Sequence, residues 1–182
     1  MLVLNKTNTG FVHIPKCGGR SVVVQCQKFD QTHHSEITGT HSRASKILER
    51  GYKLDNFIVQ VRNPYTRFVS AYHHQIEEQV GRLQWTLDQI LDCLHKGKLS
   101  EFPDPGILRR QVDWYEPKLN MKFFKLEDKT IWPWLNDNGF SGIREKVSGA
   151  AQIDKKIELY DFQKEIVYNF YKQDFETFGY NK

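Results

Sequence analysis

Cysteine is scarce: Cys17, Cys26 and Cys93 are three in 182 residues. An odd count without metal-ligand spacing excludes a disulfide framework and reads as free thiols in a reducing compartment. His33, His34, His41 and Cys17 also fit no known zinc spacing, so no metal is expected. There is no repeat, low-complexity run or linker-like shift in composition, which excludes a collagenous or modular chain. No apolar run approaches about 18 residues, so no membrane span is expected. Met1-Leu2-Val3-Leu4-Asn5-Lys6 lacks the basic start and long apolar stretch of a signal peptide, and a cytoplasmic protein is the expectation. The charge excess is small as well, 26 Lys+Arg against 22 Asp+Glu for a net +4. That balance suits an anionic ligand but does not announce a nucleic-acid binder.

What is present is ordinary for a globular protein: 39% hydrophobic and 13% aromatic residues, too apolar for disorder. At about 150 residues per domain, residues 1–182 make one domain. Elements alternate in type, which predicts an α/β fold with a central, mainly parallel sheet flanked by helices. Phe11-Val12-His13-Ile14 reads as a strand ended by Pro15, and Ser21 to Phe29 as a helix with Val22, Cys26 and Phe29 on one face. A short helix is expected over Ser42 to Arg50, then a buried strand, Phe57-Ile58-Val59-Gln60-Val61. Asn63-Pro64 has the form of a helix start, with Val69, Tyr72, Ile76 and Val80 as the apolar face. Thr86 with Gln89 forms a capping-box pattern, Ser100 to Gly106 reads as a loop, and Met121 to Leu126 as another strand. Leu159 to Phe175 is expected to close the chain as a helix with Phe162, Ile166 and Phe170 inward.

Two segments each end a strand and open a helix, the boundary at which α/β sheets bind ligands. In His13-Ile14-Pro15-Lys16-Cys17-Gly18-Gly19-Arg20-Ser21, two glycines allow a tight turn and the following helix offers its first N–H groups to an anion. Lys16 adds a positive charge and Ser21 a hydroxyl. This is not a Walker A loop, because Lys16 precedes the glycines and Arg20 stands before the hydroxyl. The second segment, Arg62 to Tyr72, sets Arg62 at the end of a buried strand and Arg67 and Ser70 on one face of a helix, a second anion-binding pattern. The plainer reading of the first is a tight turn with a surface lysine, and of the second an arginine that satisfies backbone carbonyls.

Together the segments resemble the sulfotransferases that use 3′-phosphoadenosine 5′-phosphosulfate (PAPS). Pro15 to Ser21 is similar to that superfamily's 5′-phosphosulfate loop, P-K-[TC]-G-[GS]-T-S, and Arg62 to Tyr72 to its 3′-phosphate motif, R-[ND]-P-x-x-R-x-x-S-x-Y. The resemblance is to the branch of heparan sulfate 2-O-sulfotransferase and small bacterial carbohydrate sulfotransferases. Gly39-Thr40-His41 with Ile47, Arg110-Gln111 with Trp114-Tyr115, Phe124 to Asp128, and Tyr171 to Tyr180 extend it over most of the chain. Arg20 departs from the usual Thr and Lys125 from a common Arg. No counterpart of the Golgi members' anchor and stem, and no separate acceptor-recognition domain, is expected.

The resemblance implies a P-loop-type three-layer fold and a metal-independent transfer of a sulfuryl group from PAPS to an acceptor hydroxyl, with a carbohydrate the expected acceptor. It makes Lys16, Cys17, Gly18, Gly19, Arg20, Ser21, Arg62 and Ser70 the donor-binding residues, Lys16 also stabilising the charge on the leaving phosphate. His41 best matches the branch's catalytic histidine, a general base with an ordinary pKa of about 6.5. His33 and His34, then Glu36, are the alternatives, and a packing or capping role for His41 is the plain reading. Two other functions compete: a kinase-like nucleotide-binding enzyme, and a non-catalytic module that binds anionic glycans. Trp114, Trp132 and Trp134 read as core or as acceptor-groove residues.

Overall fold

The computed structural model describes residues 2–28, 41–78, 85–102, 104–140 and 157–182. They fall into two compact units: Met1–Arg62 with Trp114–Gln152, and Asn63–Asp113 with Ile153–Lys182.

The first unit is α/β. Strands β1 (Leu2–Leu4), β2 (Thr9–Val12), β3 (Asn56–Val61) and β4 (Met121–Lys125) form a four-stranded sheet in that order. β2, β3 and β4 are parallel, while β1 runs antiparallel to β2, so the sheet is mixed. The antiparallel edge strand was not anticipated: three residues make too short a pattern to announce a strand. β2 also starts two residues earlier than Phe11, directly after the left-handed turn at Asn8 (φ 47°) that folds β1 back onto it.

Side chains alternate across the pleat, so Phe11, Ile58 and Phe124 share one face of the sheet. Helix α1 (Gly19–Cys26) buries Val22, Val23 and Cys26 in the core there, and α6 (Ile131–Asp137) buries Ile131, Trp132 and Leu135. Helix α2 (Ser45–Leu48) is shorter than expected, with Ala44 and Ile47 its buried anchors.

The second unit is helical in its described residues: α3 (Pro64–Glu78), α4 (Leu87–His95), α5 (Pro105–Leu108) and α7 (Asp161–Phe178). Asn63 caps α3, its Oδ1 accepting from the N–H of Tyr65 at 3.0 Å, and Thr86 and Gln89 form the expected capping box on α4. Within the expected loop, Pro105 instead begins α5 at a first-turn position that needs no N–H donor. On α3 the buried positions are Pro64, Arg67, Phe68 and Ala71, with Val69 and Tyr72 half-buried; Val80, like Phe29 and Pro103, lies outside the described residues.

α7 corrects the expectation most clearly. Phe162 is 63% exposed, Ile166 and Phe170 pack half-buried against the core, and the buried positions are Gln163, Val167, Tyr171, Asp174, Phe175 and Phe178. A polar peg sets this face. Asp174, fully buried, accepts from the Gln111 N–H at 2.8 Å and the Val112 N–H at 2.9 Å, and Tyr171 donates to the Leu108 carbonyl at 2.6 Å. Hydrophobic spacing alone could not see that a carboxylate would be the inward residue.

Candidate functional site

The C-terminal ends of β2 and β3 lie side by side, Val12 opposite Val59. Residues 13–18 leave the first strand and Arg62 leaves the second, so the topology of the first unit brings these parts of the two motifs to one sheet edge. A direct bond joins them: Arg62 Nη1 donates to the Lys16 carbonyl at 3.2 Å.

The turn is shaped by unusual backbone. Lys16 (φ 63°) and Gly18 (φ 74°) are both left-handed, a conformation that costs a lysine free energy and that glycine takes readily. A Cβ at Gly18 would stand 2.8 Å from Leu126 Cδ1, and one at Gly19 would run into the His13 ring. Both glycines are therefore set by space as well as by dihedral angle.

Gly18 is the N-cap of α1, so no side chain caps this helix, and its first turn holds Arg20 in place of an acidic residue. A helix leaves its first N–H groups without helical partners, and a cation there opposes the helix dipole. Lys16, half-buried, and the exposed Arg20 increase the positive charge around these donors. An anion would satisfy the N–H groups and offset the dipole and both cations. Ser21 is half-buried, and its N–H goes to the Gly18 carbonyl at 3.1 Å. Cys17 is buried, 1% exposed, and its N–H goes to the Ile14 carbonyl at 3.4 Å. Its thiol is thus turned from solvent.

His41 stands against this turn. Its Nδ1 is 2.9 Å from the His13 carbonyl, and the two rings meet edge to face at 4.6 Å. A carbonyl only accepts, so Nδ1 carries the hydrogen and the neutral ring keeps its lone pair on Nε2. His13, buried at 7% exposure, thus fixes a tautomer, a role the sequence did not reveal. Gly39, Thr40, His33, His34 and Glu36 lie outside the described residues.

The second motif divides. Arg67 is a structural residue: 1% exposed, it donates through Nη2 to the Ile107 carbonyl at 3.0 Å and lies 5.9 Å from the Tyr171 ring. The plainer reading, an arginine that satisfies carbonyls, is the right one here. Ser70 is half-buried on α3 in the second unit. Trp114 and Trp132 are buried, and Trp134 packs half-buried against the first core. Among the described residues no cluster of three or more His, Cys, Asp or Glu could hold a metal ion, and no helix is long and apolar enough to cross a membrane.

A mixed α/β sheet carries an uncapped glycine turn at the ends of its parallel strands, flanked by Lys16 and Arg20, an arrangement with the donors and charge to accept an anion. The chain belongs to the sulfotransferase family, whose model matches residues 1–128 of the 182. Neither curated proteins nor solved structures give a match.

Proposed function

We infer that the chain moves a sulfuryl group from PAPS to an acceptor hydroxyl, with a carbohydrate the acceptor proposed, and that residues 1–182 act as one sulfotransferase domain of the P-loop-type three-layer kind. The observation that supports this reading is the Arg62–Lys16 bond, which ties the guanidinium of one motif to the backbone of the other, two residues before the uncapped start of α1 at Gly18. Cys17, Cys26 and Cys93 are buried thiols outside any disulfide, which favours a reducing compartment, the cytoplasm.

When bound, PAPS supplies an activated sulfuryl group on a good leaving phosphate. The chain's own residues would do the rest by position and charge. The N–H groups of Gly19 and Arg20 and the Lys16 ammonium would hold the 5′-phosphosulfate oxygens, Lys16 offsetting the charge that grows on the bridging oxygen. The Cys17, Gly18 and Ser21 backbone shapes the cradle. Arg62 has five N–H donors, enough to keep the Lys16 carbonyl and also hold the 3′-phosphate. Resemblance assigns Ser70 to that phosphate too, and Ser70→Ala tests the assignment separately. His41 Nε2 would take the acceptor's proton as its oxygen bonds to sulfur.

The test is ligand stabilisation. Adenosine 3′,5′-bisphosphate at 100 times its dissociation constant should stabilise the protein by about 2.7 kcal/mol, and ATP at the same concentration by clearly less. Arg62→Ala should weaken the bisphosphate by about 1.5–3 kcal/mol more than adenosine 5′-phosphate, since a charge-assisted contact is lost for one ligand only. Equal losses would leave Arg62 as a support of the loop alone, and preference for ATP would favour a kinase-like enzyme. Transfer from PAPS to a carbohydrate separates the enzyme from a glycan-binding module.

A further inference from the structure

Gln60 is the polar exception in the buried strand β3, 1% exposed between Val59 and Val61. Neither its side-chain oxygen nor its nitrogen has a hydrogen-bond partner among the described residues. Turning the amide over changes nothing, since both ends lack one. Leaving a buried donor and acceptor unmade is costly, and native structures rarely tolerate it without a reason.

The position of this amide supplies the reason. Period-2 alternation puts Gln60 on the same sheet face as Ile58, the face that α1 covers. A Cβ at Gly18 would lie 3.4 Å from Gln60 Oε1, so the carboxamide sits directly beneath the glycine turn whose upper side is the uncapped end of α1. A peptide unit points its C=O and N–H in opposite directions. If the Gln60 amide takes a carbonyl of the Cys17–Gly18–Gly19 turn from below, the N–H of that peptide faces outward to an anion above. The turn can rotate because Gly18 has the conformational freedom of glycine.

We propose that Gln60 is a positioning residue of the anion cradle, its carboxamide completing its hydrogen bonds to the Gly18 turn when an anion is bound. The inference rests on the sulfotransferase reading for the identity of the anion. It does not depend on that reading for the existence of the cradle.

The test compares the wild type with Gln60→Met, close in size and free of unmet polar groups. Without ligand, the variant should melt about 2–4 °C higher, because a buried polar cost is removed. Its affinity for adenosine 3′,5′-bisphosphate and for inorganic pyrophosphate should fall about tenfold, the worth of one such hydrogen bond network. A residue that only supported the fold would lower stability and leave affinity in the folded protein unchanged. Equal affinity of variant and wild type overturns the role of Gln60 while leaving the sulfotransferase reading intact. Loss of pyrophosphate binding in the variant, in a wild type that binds pyrophosphate but not the nucleotide, upholds Gln60 and removes the donor assignment. A wild type that binds neither ends both. Should the variant not fold, the side-chain amide resonances of Gln60 in the wild type decide: slower proton exchange and a shift on adding bisphosphate support the proposal, and unchanged signals overturn it.

Discussion

At the residue scale, His41 and His13 show how a side chain is prepared by its neighbour's backbone. The His13 carbonyl holds the hydrogen on His41 Nδ1, and the His13 ring supports the imidazole edge to face. The basic nitrogen is therefore always Nε2, as a proton acceptor of fixed direction requires. If His41 is the base, His41→Ala should cut turnover by about 10²–10⁴-fold while leaving adenosine 3′,5′-bisphosphate affinity unchanged. Turnover of the wild type should also fall on acidification, since a protonated ring has no lone pair to offer. Near-normal turnover of His41→Ala would pass the role to His33, His34 or Glu36. A matching loss of nucleotide affinity would make His41 a support of the turn. That the Gly-Gly pair, Lys16 and Arg62 follow strands could be read from the sequence, because each is a local signal. The orienting carbonyl of His13 could not, because it depends on where a residue 28 positions away returns.

At the element scale, α7 is positioned by one carboxylate. Burial, acting first, pushes the Asp174 carboxyl above the usual Asp value of 3.8, against the lowering effect of the Gln111 and Val112 N–H groups and of Arg67. A folded-state pKa above the unfolded one means the folded protein binds the proton more tightly. Its stabilising contribution is then full below 3.8 and is lost as pH rises through the folded value. Asp174→Asn removes this titration and weakens the bonds to Gln111 and Val112, at a cost of about 1–3 kcal/mol. The stability gap between wild type and Asp174→Asn should narrow from about pH 4 towards neutrality, as followed by denaturant unfolding. A gap that widens would show that the hydrogen bonds to the ionised carboxylate outweigh burial. Tyr171 follows the same rule, burial pushing its hydroxyl well above the ordinary tyrosine range. The sequence showed α7 as a helix of nearly the right extent, yet of the three positions its apolar periodicity selected, Phe162 is exposed and Ile166 and Phe170 are only half-buried. The register around the axis was set by bonds to a distant segment, 63 residues away at Gln111.

At the scale of the whole molecule, the proposed chemistry relies on cations of the chain. A sulfuryl group bears less negative charge than a phosphoryl group, so Lys16, Arg62 and the N–H groups of α1 should suffice for its transfer without a divalent ion. Sulfuryl transfer, measured as release of adenosine 3′,5′-bisphosphate from PAPS, should therefore be the same with and without a chelator. A strict magnesium requirement would favour the kinase-like reading.

The sequence by itself determined the alternation of strand and helix, the capped starts of α3 and α4, and the two motifs at strand ends, because each is carried by neighbouring residues. Membership of the sulfotransferase family agrees with that reading. Tertiary structure decided what depends on partners far along the chain. It made the sheet mixed, by adding a strand too short to carry a pattern. It turned Arg67 inward to a carbonyl 40 residues away, although local spacing put it on the same helix face as Ser70. It also placed the one buried polar residue of β3 under a glycine turn. Gln60 was visible in the sequence as a break in an apolar run. Its meaning was not, because the cost of a buried amide is known only when its surroundings are.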